Sequence, residues 1–136
     1  MNLKTFAASI VLLPSVVFAF PIAEIECTDP SPTTELNVYL TTNDEATHKY
    51  PVQDDTIAYD LGNKNSPFGD FQAGLLSFEP KCSHCSEITL VQKGLTKLSL
   101  TPSGKINNYD GKITGPIETS KGWGTITDYR VLCTVR

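Results

Sequence analysis

EITLVQKGLTKLSLTPSGK, residues 87–105, is the stretch of sequence that decides the fold class. Glu87–Gln92 is a short strand-like segment, and Leu95–Thr101 is a second one that contains Leu95, Leu98 and Leu100. Gly94 supplies a turn between the two segments, and Pro102–Gly104 is a strong turn signal after the second. The stretch therefore predicts two short antiparallel strands bounded by turns.

The pattern continues toward the C-terminus. Asp110-Gly111 is a favoured hairpin pair, so we predict a tight turn over Asn107–Gly111. Lys112–Thr119 follows as a strand, and Gly115-Pro116 within it suits an edge or a bulge. Thr125–Val135 is predicted as a long final strand.

Four further strands are predicted upstream, at Ile22–Cys27, within Glu35–Leu40, within Lys49–Leu61 and within Phe71–Phe78. No segment repeats apolar residues at helical spacing over three turns. Seven or eight short strands with frequent turn signals are typical of a small antiparallel β-sandwich or β-barrel. The predicted fold class is all-β, stapled by two disulfides.

The first 19 residues predict a signal peptide. Lys4 precedes the apolar run 6–17, and the small residues Val17 and Ala19 suit cleavage after Ala19. A membrane anchor is the alternative, but the run is too short to span a bilayer core and contains Pro14. We therefore expect a secreted, extracellular protein with one β domain over residues 20–136.

The charge balance of residues 20–136 excludes some partners. Ten basic residues stand against 15 acidic ones, a formal net charge of −5. Nucleic-acid binding requires a basic face, and an acidic chain is not attracted to anionic membranes. We expect neither nucleic acid nor membrane as a partner, no cofactor, and a monomer.

Four cysteines in an exported domain predict two disulfides. Cys27 with Cys133 would close a loop of about 100 residues and leave Cys82 to pair with Cys85. The rival joins Cys27 to Cys82 and Cys85 to Cys133. We predict the first arrangement, although the sequence alone does not select it. Cys82-Ser83-His84-Cys85 lacks a second pair of ligands, so no metal site is predicted.

No catalytic motif is visible in the chain. The only histidines are His48 and His84, and there is no Gly-x-Ser-x-Gly nucleophile elbow. His48-Lys49-Tyr50 resembles the His-x-Tyr of small fungal guanyl-specific ribonucleases, whose next residues would correspond to Glu79 and Arg130. Those enzymes need a second histidine as general acid, and none follows Arg130. We therefore predict no catalysis, with a small secreted hydrolase, ribonuclease-like or acting on polysaccharide, as the alternative.

Aromatic residues near the C-terminus are the candidate binding residues. Trp123, the only tryptophan, lies between Gly122 and Gly124. An exposed Trp123 with Tyr109 or Tyr129 would suit a sugar or a protein partner, since aromatic rings dominate recognition energies. The alternative is that Trp123 packs in the core at the start of a strand. We predict a binding face formed by Trp123, Tyr109 and Tyr129.

The leader, the four cysteines, the acidic balance and the many short strands together resemble the small secreted effectors and elicitors of plant-colonising fungi. The cysteine order, with Cys82 and Cys85 between two isolated cysteines, is similar to the cerato-platanin family, a double-psi barrel that binds chitin fragments. Ser86 stands where that family usually has tryptophan. The plan also resembles the Alternaria major-allergen family, a secreted β-barrel with two disulfides.

These resemblances imply a non-enzymatic virulence protein that binds a host protein or a cell-wall glycan.

Overall fold

The computed structural model describes residues 24–42, 56–66, 72–78 and 87–136, which form eight antiparallel strands and no helix. This confirms the all-β prediction. The strands are β1 (Ile25–Thr28), β2 (Val38–Thr41), β3 (Thr56–Asn63), β4 (Gln72–Phe78), β5 (Ile88–Gln92), β6 (Thr96–Pro102), β7 (Asn108–Thr119) and β8 (Gly122–Val135). The signal-peptide prediction falls outside the described residues.

Each strand pairs with the next along the chain, and β8 pairs with β1, so the sheet closes into a barrel. Of the two predicted architectures, the barrel is therefore the one found. Successive side chains alternate between its interior and exterior: on β6, Leu98 and Leu100 are buried and Lys97 is exposed. The turns 93–95 and 120–121 lie at one end, called here the upper end. Glu24 and Arg136 lie at the lower end.

The upper interior holds a polar group as well as apolar side chains. The buried Tyr59 hydroxyl donates to the side-chain oxygen of Gln92 and lies 3.2 Å from the Thr96 hydroxyl. A Cβ on Gly115 would lie 2.9 Å from that same Thr96 hydroxyl oxygen. Glycine at this position therefore lets β7 approach the start of β6 closely.

The disulfide joins the first and last strands of the barrel. Cys27 and Cys133 are directly opposite in the β1–β8 register, with their Cα atoms 4.1 Å apart. Both side chains are buried in the core. The predicted Cys27–Cys133 pairing is confirmed, whereas Cys82 and Cys85 lie outside the described residues.

The predicted turn at Asp110-Gly111 is wrong. Both residues lie inside β7, where Gly111 pairs with Val131 on β8. A Cβ on Gly111 would lie 2.7 Å from the Sγ of Cys133. Glycine at position 111 therefore leaves the space that the disulfide needs. The chain turns instead over residues 103–107, where Gly104 has a φ of 97°.

Two prolines explain why β1 is short. Glu24 and Arg136 exchange two backbone hydrogen bonds of 2.8 Å. The even-numbered residues of β1, up to Thr28, are therefore the ones whose backbone groups point toward β8. The next positions of that series are Pro30 and Pro32, which have no N–H to donate. The pairing of β1 with β8 therefore stops at Thr28.

The β7–β8 hairpin is longer than every other strand pair. Its register shifts between Ile113 and Gly115, and Asp128 on the opposite strand has a φ of 47°, as expected for a bulge with one extra residue on β8. The bulge suggested for Gly115-Pro116 therefore lies one position earlier, opposite Thr114, and Gly115 and Pro116 themselves pair with Ile126 and Thr125. Above the bulge, the hairpin continues past the ends of its neighbours.

Candidate functional site

The candidate site is the upper part of the β7–β8 hairpin, residues 115–127, called here the hairpin tip. Lys97 of β6 pairs with Thr114, and β1 pairs with nothing above Leu132 in the described chain. The tip therefore extends beyond both neighbouring strands. Its inner side remains anchored, because Ile117 and Ile126 are buried in the core cluster.

Trp123 lies on the outer side of this tip. It pairs with Glu118 on β7. Ile117 on β7 and Ile126 on β8 face inward, so the alternation of side chains directs both Glu118 and Trp123 outward. The Trp123 side chain is 63% exposed, so the possibility of a core tryptophan is overturned. The indole therefore lies on the exposed outer face of the hairpin tip.

One edge of the hairpin tip has unpaired backbone groups. The two-residue turn makes Thr119 and Gly122 the closing pair, and hydrogen-bonded positions alternate from there. Trp123, Thr125 and Thr127 therefore direct their N–H and C=O groups away from β7. No backbone hydrogen bond to these groups occurs on that side within the described residues, and all three residues are exposed. These three positions are called here the open edge of β8.

The opposite edge of the tip is different. Pro116 lies on β7 just above the point where β6 ends, opposite Thr125. The same alternation places the backbone nitrogen of Pro116 on the β6 side, where the proline has no hydrogen to offer. Proline is a common way to block unwanted strand pairing. Only the β8 side of the tip therefore offers both donors and acceptors.

Tyr129 faces the interior side of β8 and does not join Trp123. It packs partly buried against the core, opposite Ile113, and its hydroxyl donates a 2.5 Å hydrogen bond to Asp29 Oδ2. Partial burial, together with this hydrogen bond and the negative charge of Asp29, raises the pKa of Tyr129 to about 12. The phenol is therefore protonated at neutral pH and joins β8 to the residue that follows β1.

Tyr109 also faces inward, at the lower end of the hairpin, opposite Cys133. The expected face of Trp123, Tyr109 and Tyr129 is therefore not formed, because the strand alternation sends the tyrosines inward and the tryptophan outward. The sequence could not reveal this, since the bulge at Asp128 changes the phase between Tyr129 and Trp123. The binding role of each residue stays a prediction.

A second surface feature is a groove of about 340 Å³ on the outer face of β5–β8. A row of opposed residues runs across it from strand to strand: Thr89, Ser99, Lys112 and Arg130. Arg130 forms an exposed ion pair with Asp110 at 3.6 Å. The groove thus presents hydroxyls and charges of both signs.

Several sequence predictions fall outside the described residues, namely those on His48, His84 and Glu79. The ribonuclease-like arrangement with Arg130 is therefore untested. Among the residues that the structure describes, no cluster of three metal-ligating side chains occurs. The same part of the chain contains no helix with the length and apolar character to cross a membrane.

Comparison of the chain with protein-family models, with curated proteins and with solved structures finds no match.

Sequence reasoning found Trp123 but missed the open edge of β8. The available signal was the spacing of prolines: Pro30 and Pro32 two residues apart after the first cysteine-containing strand, and Pro116 in β7. Their effect depends on register, which becomes visible only once the strands are paired.

Proposed function

We propose that this protein is a secreted binding protein of the effector or elicitor type, which recognises a host protein through the hairpin tip and catalyses no reaction. The observation that carries the proposal is Trp123, which is 63% exposed on a part of the hairpin that extends beyond the neighbouring strands. A large exposed aromatic side chain on a rigid ribbon is typical of a recognition anchor.

Trp123 can bury a large apolar area on binding, and the backbone that carries it is already ordered. Burying an aromatic side chain removes about 150–250 Å² from water, and tryptophan is enriched among residues that dominate binding energies. The inner side of the tip is held by Ile117 and Ile126, so little backbone order is lost on binding. Glu118, directly opposite Trp123, adds a carboxylate that can accept hydrogen bonds beside the indole.

The test is capture of a partner from plant extracellular fluid by the immobilised protein, followed by mass spectrometry. Trp123→Ala should weaken retention by at least about tenfold, the scale of a binding hot spot. Ile106→Ala is the matched control, because Ile106 is 90% exposed but lies in the turn at the lower end. A partner retained equally by Trp123→Ala, or lost from both variants, would rule out the hairpin tip.

A second candidate function is glycan binding in the groove of β5–β8. The row of Thr89, Ser99, Lys112 and Arg130 favours it, since hydroxyl and charged groups in one groove suit a hydroxylated ligand. Titration with chitin oligosaccharides, followed by calorimetry, tests this candidate. Binding that Lys112→Ala weakens and Trp123→Ala leaves unchanged would favour the groove over the tip.

A further inference from the structure

The open edge of β8 points to a second copy of this chain as its partner. We propose that two molecules associate through antiparallel pairing of β8 with β8, centred on Thr125. This inference concerns the backbone edge of the hairpin tip and does not depend on the proposed function, which concerns the Trp123 side chain. It would replace the expectation of a monomer.

The first support is the composition of the segment. Residues 122–127 read GWGTIT and contain no charge and no proline. Exposed edges are normally protected by charged residues or proline, and the other edges near the tip carry Pro30, Pro32 and Pro116. Of the two edges of the hairpin tip, both within the described residues, the β8 edge is the one that lacks such protection, although its Trp, Thr and Ile favour strands.

The second support is the register. With Thr125 on a two-fold axis, Trp123 of one copy lies opposite Thr127 of the second copy, and the reverse holds by symmetry. Each of the three positions of the open edge then lies opposite an open-edge position of the second copy. This gives about six backbone hydrogen bonds, two from each hydrogen-bonded pair.

The third support is charge complementarity at the ends of the pairing. In the same register Gly122 of one copy lies opposite Asp128 of the second copy, so Lys121 is the neighbour of that carboxylate. Both residues are exposed, and Lys121 forms an exposed ion pair with Glu35 at 3.4 Å. Opposite charges therefore flank an uncharged centre at both ends, which favours this antiparallel arrangement.

The consequence is a four-stranded ribbon that joins the hairpin tips of two barrels. Trp123 faces outward on each tip, so both indoles would lie on one continuous sheet face. A dimer of this kind would present two aromatic anchors together, and two linked sites bind a repeated or symmetric partner more tightly than one.

Sedimentation equilibrium of the purified protein tests the pairing, from about 10 μM to about 1 mM, where contacts of this small size associate. The wild-type protein should show a monomer–dimer equilibrium. Thr125→Pro removes an edge N–H that β7 does not use, and should weaken dimerisation by at least about tenfold. Thr125→Ala keeps that N–H and is the matched control, with a dissociation constant within about threefold of wild type.

Two further variants cover a loss of folding in Thr125→Pro. Thr125→Lys sets two ammonium groups opposite each other at the axis and should also prevent dimerisation, since like charges directly opposite repel. Thr125→Cys should form a disulfide between copies under mild oxidation, whereas Ile106→Cys in the lower turn should not. A monomer at every concentration, or a dimer that survives both Thr125→Pro and Thr125→Lys, would overturn the proposal.

Discussion

The lower and upper parts of β8 differ in what lies beside them. Leu132–Val135 is paired with β7 on one side and β1 on the other, and Cys133 is bonded to Cys27. Trp123–Ile126 is paired with β7 alone within the described chain. Both parts are rich in strand-favouring residues, so the difference does not originate in β8. It originates after β1, where Pro30 and Pro32 follow the last residue paired with β8. The short β1 thus leaves β8 with a lower half paired on both sides, the closed half, and an upper half paired on one side, the open half.

The largest expected effect concerns the closed half. Replacing Cys27 and Cys133 together with alanine removes a bridge between residues 106 positions apart. The chain-entropy model gives a loss of about 4–5 kcal/mol in the free energy of unfolding. Urea denaturation of both proteins measures it. The control is the Cys82→Ala and Cys85→Ala pair, which are close in sequence and should cost less. An equal loss of unfolding free energy in the two double variants would show that the Cys27–Cys133 disulfide does not specially stabilise the pairing of β1 with β8.

Gly111→Ala sharpens the same comparison. A Cβ at this position would lie 2.7 Å from Cys133 Sγ and 2.9 Å from Val131 Cγ2, so overpacking should cost about 1–3 kcal/mol. In the variant without Cys27 and Cys133 the cost should be smaller, because the sulfur is gone. Denaturation of the four proteins of this cycle gives the coupling. A cost that is the same in both backgrounds would contradict the explanation of Gly111 by the disulfide.

Tyr129→Phe tests the link between the two halves. The hydroxyl of Tyr129 bonds to the buried Asp29 just beyond the end of β1, where backbone pairing has stopped. Its loss should reduce the free energy of unfolding by about 1–2 kcal/mol.

The pH dependence supplies a second readout for Tyr129. Its pKa is raised from the ordinary tyrosine value of 10.0 to about 12, so the folded protein holds this proton more tightly than the unfolded chain does. The stabilisation is complete below pH 10 and is lost as the pH rises toward 12. The difference in unfolding free energy between wild type and Tyr129→Phe should shrink over that range. A constant difference would mean that the hydroxyl contributes nothing through its proton.

Trp123→Ala should have the smallest effect on stability. The side chain is 63% exposed, so the free energy of unfolding should change by less than about 0.5 kcal/mol. Trp123 is the only tryptophan, and its fluorescence therefore reports this position alone. Iodide should quench it readily in the folded protein. Blue-shifted emission that resists quenching would place the ring in the core and remove the anchor of the open half.

The sequence predicted the features that depend on local pattern. Short apolar-rich segments between turn signals, some of them alternating, identified the strands, and the even number of cysteines with two near the ends of the domain led to the Cys27–Cys133 pairing. It failed where partners across strands decide the outcome. Asp110-Gly111 has the composition of a turn, but Gly111 serves the disulfide. Likewise, the inward direction of Tyr129 and the outward direction of Trp123 depend on the bulge at Asp128, whose positive φ the sequence does not announce.

Residue-resolved hydrogen exchange of the β8 amides in dilute solution tests the central claim most directly, namely that β8 is closed below and open above. The amides of Leu132 and Thr134, which face β1, should exchange slowly. Those of Trp123, Thr125 and Thr127 should exchange fast, while Gly124 and Ile126, which face β7, should be slower than these three. Equal protection of Thr125 and Thr134 in dilute solution would contradict the account, because it would mean that the upper part of β8 is paired on both sides.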